Sequence, residues 1–373
     1  MIELALAFSP TYAEARVKFL EAAAAAGLKI ESHVHPLKGR DGETLAMDVA
    51  LAGNADASNL LIVSSGCHGV EGYCGSGVQV YALHDAEWLE TAARVDVAVL
   101  YVHALNPYGF SHIRRQTHEN VDLNRNFGDY GQPLPVNEAY REIHAALLPA
   151  HWPPDAENVA AITRYVQEKG MARFQAAVSR GQYEFPDGLF FGGTAPTWSN
   201  QTLRKLLRTH VCAARRLGWI DIHTGLGVSG LGERIFACRD DAEALRRTRQ
   251  WWDGGGSTPI TSIYDGSSTS ASLTGLMCMS VYEECPHVEY TGIAMEYGTM
   301  PLAQMIDALR AEQWLQIHPE APPAQAALIQ QGMMNAFYTD TDLWRGQIVS
   351  QARQAMFQAV AGLSGTSSGT SAG

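Results

Sequence analysis

The sequence predicts an α/β protein in which a mixed, mostly parallel sheet lies between two layers of helices. Residues 60–63 and 95–102 form short, continuous apolar runs, as expected of strands that are buried on both faces of a sheet. Segments with helical patterns separate these runs from further predicted strands, and this alternation favours parallel strand pairs. Three of the predicted strands end in polar residues, which places candidate functional groups at one edge of the sheet.

The predicted elements follow in order along the chain. We predict strands at residues 29–36, 44–51, from Asn59, 95–102, 219–223, 234–238 and 292–296. We predict helices at residues 12–26, 76–89, 138–148, 157–178, 201–215 and 242–252, and over most of the chain after residue 300. The polar, Gly/Ser/Thr-rich residues 257–272 are interpreted as a loop and a candidate mobile flap.

The chain shows no internal repeat and no clear domain boundary. We therefore expect a single domain over residues 1–361, with a helical insertion around residues 130–215. Residues 362–373, GLSGTSSGTSAG, are expected to be a flexible tail.

Composition and charge exclude several classes of function. The 46% apolar and 18% charged fractions are typical of a globular protein with a sizeable core. The formal net charge of -12 argues against a nucleic-acid partner. No apolar stretch approaches the roughly 20 residues of a membrane span. The N-terminus does not resemble a signal peptide, so we expect a cytoplasmic protein whose six cysteines are reduced and mostly buried.

The segment at residues 59–77, NLLIVSSGCHGVEGYCGSG, contains the first candidate site. His68 and Glu71 follow the predicted strand with an H-x-x-E spacing, which allows an imidazole and a carboxylate to reach one ion from a single turn. Such mixed nitrogen and oxygen ligation suits Zn²⁺, with a third ligand from elsewhere and a fourth position for water. The alternative interpretation is an ordinary exposed loop.

Two other strand ends supply matching groups. The segments DIHTGLG and AMEYGT place His223 and Glu296 where parallel strands would bring them near His68 and Glu71. His68, Glu71 and His223 would then form a hydrolytic zinc site, and Glu296 would be a free carboxylate able to take a proton from water. Alternatively, His223 bonds to backbone and Glu296 pairs with a basic side chain.

The segment VDLNRNF, residues 121–127, follows Arg114 and Arg115. Asn124 and Arg125 offer amide and guanidinium donors, and a guanidinium can hold a carboxylate through two hydrogen bonds. The alternative is a capped turn with a surface salt bridge.

Together these motifs resemble a known family. H-x-x-E after a strand, D-x-NR-N-F downstream, a strand-end His and then a strand-end Glu match the ordered pattern of the carboxypeptidase A-like zinc peptidases. The phrases SGCHGVEGYCGSG and NVDLNRNF look closest to a mainly bacterial branch known as domain of unknown function 2817. The resemblance covers residues 55–300.

The resemblance implies a fold, a cofactor and a set of roles. The fold would be that of the zinc carboxypeptidases, with one Zn²⁺ held by His68, Glu71 and His223. Glu296 would act as general base and then as proton donor. Asn124 and Arg125 would bind the substrate carboxylate. Asp122 would orient the His68 ring, and Arg115 would stabilise the oxyanion.

Some features of the family pattern stay open in this sequence. Arg114 matches the oxyanion position as literally as Arg115 does. Digestive carboxypeptidases close a tyrosine over the substrate, and here Tyr264, Tyr282 and Tyr290 all lie in the corresponding region.

The predicted function is a zinc-dependent hydrolase that cleaves an amide bond next to a free carboxylate, as a metallocarboxypeptidase does. Its partner would be a peptide or an N-acyl amino acid, with no nucleic acid and no membrane. One alternative is a zinc-dependent deacylase of N-acyl amino acids or small amides. Another is a zinc-bearing binding protein without turnover, although the presence of Glu296 weakens that interpretation.

Overall fold

The computed structural model describes residues 2–365, and eight strands of this part of the chain form one sheet. The strands are β1 (Lys29–Lys38), β2 (Thr44–Ala52), β3 (Asn59–Ser65), β4 (Val97–His103), β5 (Arg216–Ser229), β6 (Gly232–Phe236), β7 (Ile260–Ser262) and β8 (Glu289–Gly298). Their order across the sheet is β1-β2-β4-β3-β5-β8-β6-β7.

The centre of the sheet is parallel. Strand β3 pairs in parallel with β4 and β5, and β5 pairs in parallel with β8. The edge strands bring in antiparallel pairs, namely β1 with β2, β2 with β4, and β6 with β8, whereas β6 and β7 are parallel. The α/β class with a mixed, mostly parallel sheet is therefore confirmed.

Helices occupy most of the remaining described chain. They are α1 (Leu4–Ala7), α2 (Tyr12–Ala25), α3 (Gly72–Leu83), α4 (Ala86–Arg94), α5 (Pro107–His112), α6 (Glu138–Leu147), α7 (Ala156–Lys169), α8 (Met171–Ser179), α9 (Trp198–Leu206), α10 (Ala242–Trp252), α11 (Ser280–Glu284), α12 (Leu302–Ile317), α13 (Pro323–Phe337) and α14 (Asp342–Ser364). Within residues 2–365, no helix combines the length and the apolarity that crossing a bilayer requires.

The central strands are buried because helices cover them. Every residue of β4 is buried, and so is every residue of β3 after Asn59. Helices α3 and α14 contact β3 and β5, α4 contacts β4, and α10 contacts β8. This burial explains the unbroken apolar runs in the sequence, since neither face of these strands meets water.

The Gly-rich segment after β3 differs from the prediction. We expected a helix from about residue 76, but α3 begins at Gly72 and ends at Leu83. A methyl group added to Gly75 would lie 2.5 Å from the Ser65 side chain, and one added to Gly77 would lie 2.3 Å from Phe8. These glycines therefore allow close packing within a helix and do not mark a loop.

Three other elements differ from the predictions. The helix predicted at residues 157–178 is divided into α7 and α8 by Gly170, whose φ of 85° is left-handed. Strand β5 continues to Ser229, well past the predicted end at His223, because the turn to β6 comes only at Gly230. The short strand β7 lies inside the predicted loop at residues 257–272.

Two expectations about the chain need correction. The last helix continues to Ser364, so the flexible tail does not begin at residue 362, and residues 366–373 lie outside the described part. Cys212 and Cys285 form a disulfide with a Cα–Cα distance of 5.1 Å, so these two cysteines are not the reduced thiols that we expected. The fold brings them together across 73 residues, a proximity that no local pattern reveals.

Candidate functional site

The structure brings His68, Glu71 and His223 to one point. Glu71 closes a short 3-10 turn that follows β3, and His68 directly precedes that turn. The register of β5 against β3 pairs Ser65 with Ile222, which sets His223 just beyond the end of β3. The three side chains each offer a ligand atom, and these atoms all lie within 4.8 Å of one another.

The ring nitrogens that face this point are the two Nδ1 atoms. His68 Nδ1 lies 2.8 Å from Glu71 Oε1, and His223 Nδ1 lies 3.0 Å from Glu71 Oε2. All three residues are buried, with exposed fractions of 4% or less. Two imidazole nitrogens and one carboxylate are a donor set that fits Zn²⁺ with one position left open.

A carboxylate lies beside the outer nitrogen of each ring. Asp122 Oδ1 is 3.3 Å from Nε2 of His68, the ring that the resemblance would have it orient. Asp221 Oδ2 is 2.6 Å from His223 Nε2, a contact that the sequence interpretation missed. The D-x-H spacing could have revealed it, because residues i and i+2 of a strand share one face of the sheet.

Asp221 is itself held by a chain of buried hydrogen bonds. Trp219 Nε1 donates to Ser64 Oγ at 2.7 Å, and Ser64 Oγ donates to Asp221 Oδ1 at 2.5 Å. The carboxylate is thus fixed between β3 and β5 and in turn orients the His223 ring. Such outer contacts set the tautomer of a ligating histidine and raise its basicity.

The charges of the site compensate one another. Burial alone would raise the pKa of Glu71, but His68 and His223 outweigh it and hold that pKa below its ordinary value. Burial would lower the pKa of His223, but Asp221 and Glu71 raise it well above its ordinary value. A metal at His223 Nδ1 would have to replace a proton, so its binding would release that proton.

Of the two candidate arginines, Arg115 lies at the site. Its Nε donates to Asp122 Oδ2 at 2.9 Å and its Nη1 donates to Glu71 Oε1 at 3.2 Å. Arg114 instead donates to Glu312 Oε1 at 2.7 Å and to Asn120 Oδ1 at 2.8 Å. Only Arg115 of the pair lines the cavity that contains the metal-ligand set.

Arg115 also constrains the tautomer of His68. Arg115 Nη2 lies 2.7 Å from His68 Nε2 and can only donate, so in this contact Nε2 accepts and Nδ1 carries the proton. Ligation through Nδ1 needs the other tautomer, in which Nε2–H donates to Asp122. The two arrangements exclude each other, so metal binding requires Arg115 Nη2 to give up this contact.

Asn124 and Arg125 form a short 3-10 turn capped by Asp122, whose side chain accepts from the Asn124 N–H at 3.0 Å. Arg125 is buried and lines the cavity. Its guanidinium donates to Ser179 O through Nε and Nη2, and to Asn124 O through Nη1. Since a guanidinium has five N–H donors, these contacts fix its position and leave two donors for a ligand. The capped turn of the alternative interpretation is present, but the 4.0 Å ion pair of Arg125 with Asp122 is buried and is not the surface salt bridge considered from the sequence.

Glu296 lines the same cavity and lies inside strand β8. It pairs in register with His223 of β5, and both strands continue beyond these residues, which we had predicted to be the last of their strands. Glu296 Oε1 accepts the Leu226 N–H at 2.9 Å, which fixes the carboxylate. Burial and the charge of Glu71 raise the pKa of Glu296 to about 8, and a bound cation would oppose both effects.

The walls of the cavity are apolar. The charged residues that line it are His68, Glu71, Arg115, Arg125, His223 and Glu296. Most other lining side chains are aliphatic or aromatic and come from β6, α8, α12 and the loop before α11. None of Tyr264, Tyr282 and Tyr290 lines this cavity, so among the described residues these candidates supply no covering tyrosine.

The role of Asp221 can be tested by metal affinity. Asp221→Asn removes the negative charge and leaves one acceptor oxygen for two donors, Ser64 Oγ–H and His223 Nε2–H, so we expect zinc affinity to fall by about 10–100-fold, as measured by competition with a chelator. The exposed Asp41→Asn is a matched control and should bind zinc normally. If Asp221→Asn kept both its zinc affinity and the melting temperature of the metal-free protein, Asp221 would have no role in orienting His223 for metal binding.

Comparisons with known proteins identify the family and the fold of the chain. A family model described as "Protein of unknown function (DUF2817)" matches residues 8–351. No curated protein matches the chain. Bovine thrombin-activatable fibrinolysis inhibitor, solved in complex with tick carboxypeptidase inhibitor, is similar over 96% of this chain and 98% of its own, with a TM-score of 0.53 and 10% identity.

Two further solved structures are more distant. Carboxypeptidase A from Helicoverpa armigera has 10% identity and a TM-score of 0.42, over 87% of this chain and 73% of its own. A metallo-carboxypeptidase from Pseudomonas aeruginosa, in complex with (2-guanidinoethylmercapto)succinic acid, has 12% identity and a TM-score of 0.37, over 86% and 66%. At these low identities the comparisons show the fold alone. The bovine structure shares this fold over 98% of its own chain.

Proposed function

The chain belongs to the DUF2817 family, and from that premise and the geometry of its site we propose that it is a zinc-dependent hydrolase of an amide bond next to a free carboxylate. The main observation in support is that His68, Glu71 and His223 line the same cavity as the Glu296 carboxylate and the Arg125 guanidinium. The confirmed resemblance to the carboxypeptidase A-like peptidases favours a metallocarboxypeptidase as the class of enzyme.

The metal supplies the part of the chemistry that side chains cannot. Zinc held by His68, Glu71 and His223 would polarise the scissile carbonyl and lower the pKa of a bound water from 15.7 towards about 7. A binding protein without turnover would need the same ligands but has no use for a general base, so Glu296 favours an enzyme.

The chain's own residues perform the other tasks. Glu296, oriented by the Leu226 N–H, takes the proton of the attacking water and later delivers it to the leaving amine. Arg115 faces the negative charge that develops on the carbonyl oxygen. The C–N bond breaks, the acyl carbon gains the water oxygen, and the amine leaves with the proton.

Arg125 and Asn124 select the position of cleavage. Arg125 has two remaining donors for a carboxylate, and Asn124 Oδ1 accepts the Met277 N–H at 2.9 Å, which leaves the amide N–H groups of Asn124 for the ligand. A carboxylate held there sets the neighbouring amide bond over the metal site. A free carboxylate is therefore part of the substrate in this proposal.

The test is a side-by-side assay of the zinc-loaded protein with three substrates: a peptide with a free C-terminus, the same peptide amidated, and an N-acyl amino acid. We expect hydrolysis of the free peptide or the N-acyl amino acid and at least tenfold slower hydrolysis of the amidated peptide. Equal rates for the free and amidated peptides would contradict the proposal that Arg125 and Asn124 bind the substrate carboxylate. No turnover of any substrate would leave a zinc-binding protein without catalysis.

A further inference from the structure

An apolar groove lies beside the candidate site, between helices α7, α8 and α12. We call it the α7–α8–α12 groove, and its apolar lining includes Val159, Ile162, Val166, Met171, Phe174 and Ile306. Its volume is about 320 Å³. An apolar cavity of about 150 Å³ already admits benzene, so the groove has room for a chain of several methylene groups.

The charged residues at the edge of the groove are already paired. Asp307 Oδ1 accepts from Arg310 Nη1 at 2.8 Å. Arg310 also donates to the backbone oxygens of Leu147 and Ala146 and to Asn158 Oδ1. The groove thus presents no unpaired charge to a ligand, which suits an apolar group and not a charged one.

The groove lies next to the cavity that contains the candidate site. Ile306 of α12 lines both the cavity and the groove. On α8, Val178 lines the cavity and Phe174 lines the groove, and residues four apart lie on one face of a helix. The cavity and the groove therefore adjoin along α8 and α12, on either side of Ile306.

The surface of the groove carries apolar side chains that are open to water. Val159 is 49% exposed and Met171 is 44% exposed. Single exposed apolar residues are ordinary, but a concave cluster that joins a candidate active site is typical of a binding site.

We propose that the α7–α8–α12 groove binds the aliphatic acyl chain of an N-acyl amino acid while Arg125 holds the carboxylate of the same substrate. This inference rests on the proposed function and names its substrate class. A methylene chain fits the groove because it needs no hydrogen-bond partners. A peptide would bring backbone amides and carbonyls into a groove whose uncharged polar lining is limited to Thr163 and Gln167, both on the exposed side of α7.

The experiment measures kcat/KM of the zinc-loaded protein for N-acetyl-, N-butanoyl- and N-octanoyl-leucine. Each buried methylene should raise kcat/KM by up to about fourfold, so we expect an increase of at least about 100-fold from acetyl to octanoyl. Met171→Asp places a charge in the groove and should abolish most of this increase. Ala172→Asp is the matched control, because Ala172 is the exposed neighbour of Met171 and does not line the groove.

The outcomes separate this inference from the proposed function. Hydrolysis of all three substrates with no dependence on chain length would overturn the inference and leave the proposed function standing. Equal loss of the chain-length effect in Met171→Asp and Ala172→Asp would also overturn it. Without turnover of any substrate the proposed function fails, and calorimetry then decides whether Met171→Asp weakens binding of N-octanoyl-leucine; unchanged binding would exclude the groove.

Discussion

Glu296→Gln is expected to bind zinc with the affinity of the wild type and to lower kcat by at least about 10²–10⁴-fold, the loss typical of removing a general base. The glutamine keeps the size of the side chain and an oxygen able to accept the Leu226 N–H, but it cannot take a proton from water. Zinc content is measured by metal analysis after dialysis, and kcat is measured with the best substrate of the side-by-side assay.

Glu289→Gln is the control for this variant. Glu289 lies at the start of the same strand, with 47% of its side chain exposed and only a 3.7 Å ion pair to Arg216. It should retain full activity. A Glu296→Gln protein that binds zinc and turns over at the parental rate would show that the proton passes through another group.

Arg125→Met is expected to lower kcat/KM for substrates with a free carboxylate by about 30–5,000-fold, since removing one partner of a buried charged contact costs about 2–5 kcal/mol. The rate for an amidated substrate should change little, because that substrate never used the guanidinium. Arg125→Lys keeps the charge but cannot make two parallel hydrogen bonds to a carboxylate, so its activity should lie between those of Arg125→Met and the wild type.

The structural contribution of Arg125 needs its own check. The Arg125 guanidinium donates two hydrogen bonds to Ser179 O, so its loss can also destabilise the fold. The melting temperature of Arg125→Met must therefore be compared with that of the wild type. Arg173→Met on the exposed face of α8 is the control for loss of an arginine. An equal loss of activity on free and amidated substrates would mean that Arg125 supports the fold of the site and does not read the carboxylate.

The segments that the sequence predicted well are those whose environment is set locally. Residues 60–63 and 97–102 lie in the buried strands β3 and β4, as their apolar runs predicted, whereas Val95 and Asp96 precede β4. The H-x-x-E spacing places His68 and Glu71 on a single turn, so that pair needs no distant contact to be recognised. Element boundaries were less predictable, because the glycines of α3 serve close packing with Ser65 and Phe8 and resemble a loop in the sequence.

What the sequence alone determined is thus the class of fold, the family and the candidate groups for chemistry. Tertiary structure decided which groups meet. In the folded chain Arg115 contacts Glu71, whereas Arg114 contacts Glu312. Cys212 is bonded to Cys285, and helices α7, α8 and α12 line a groove. The physical reason is that these contacts depend on strand register and helix packing between segments far apart in the chain, whereas sequence patterns report only the faces that each segment buries.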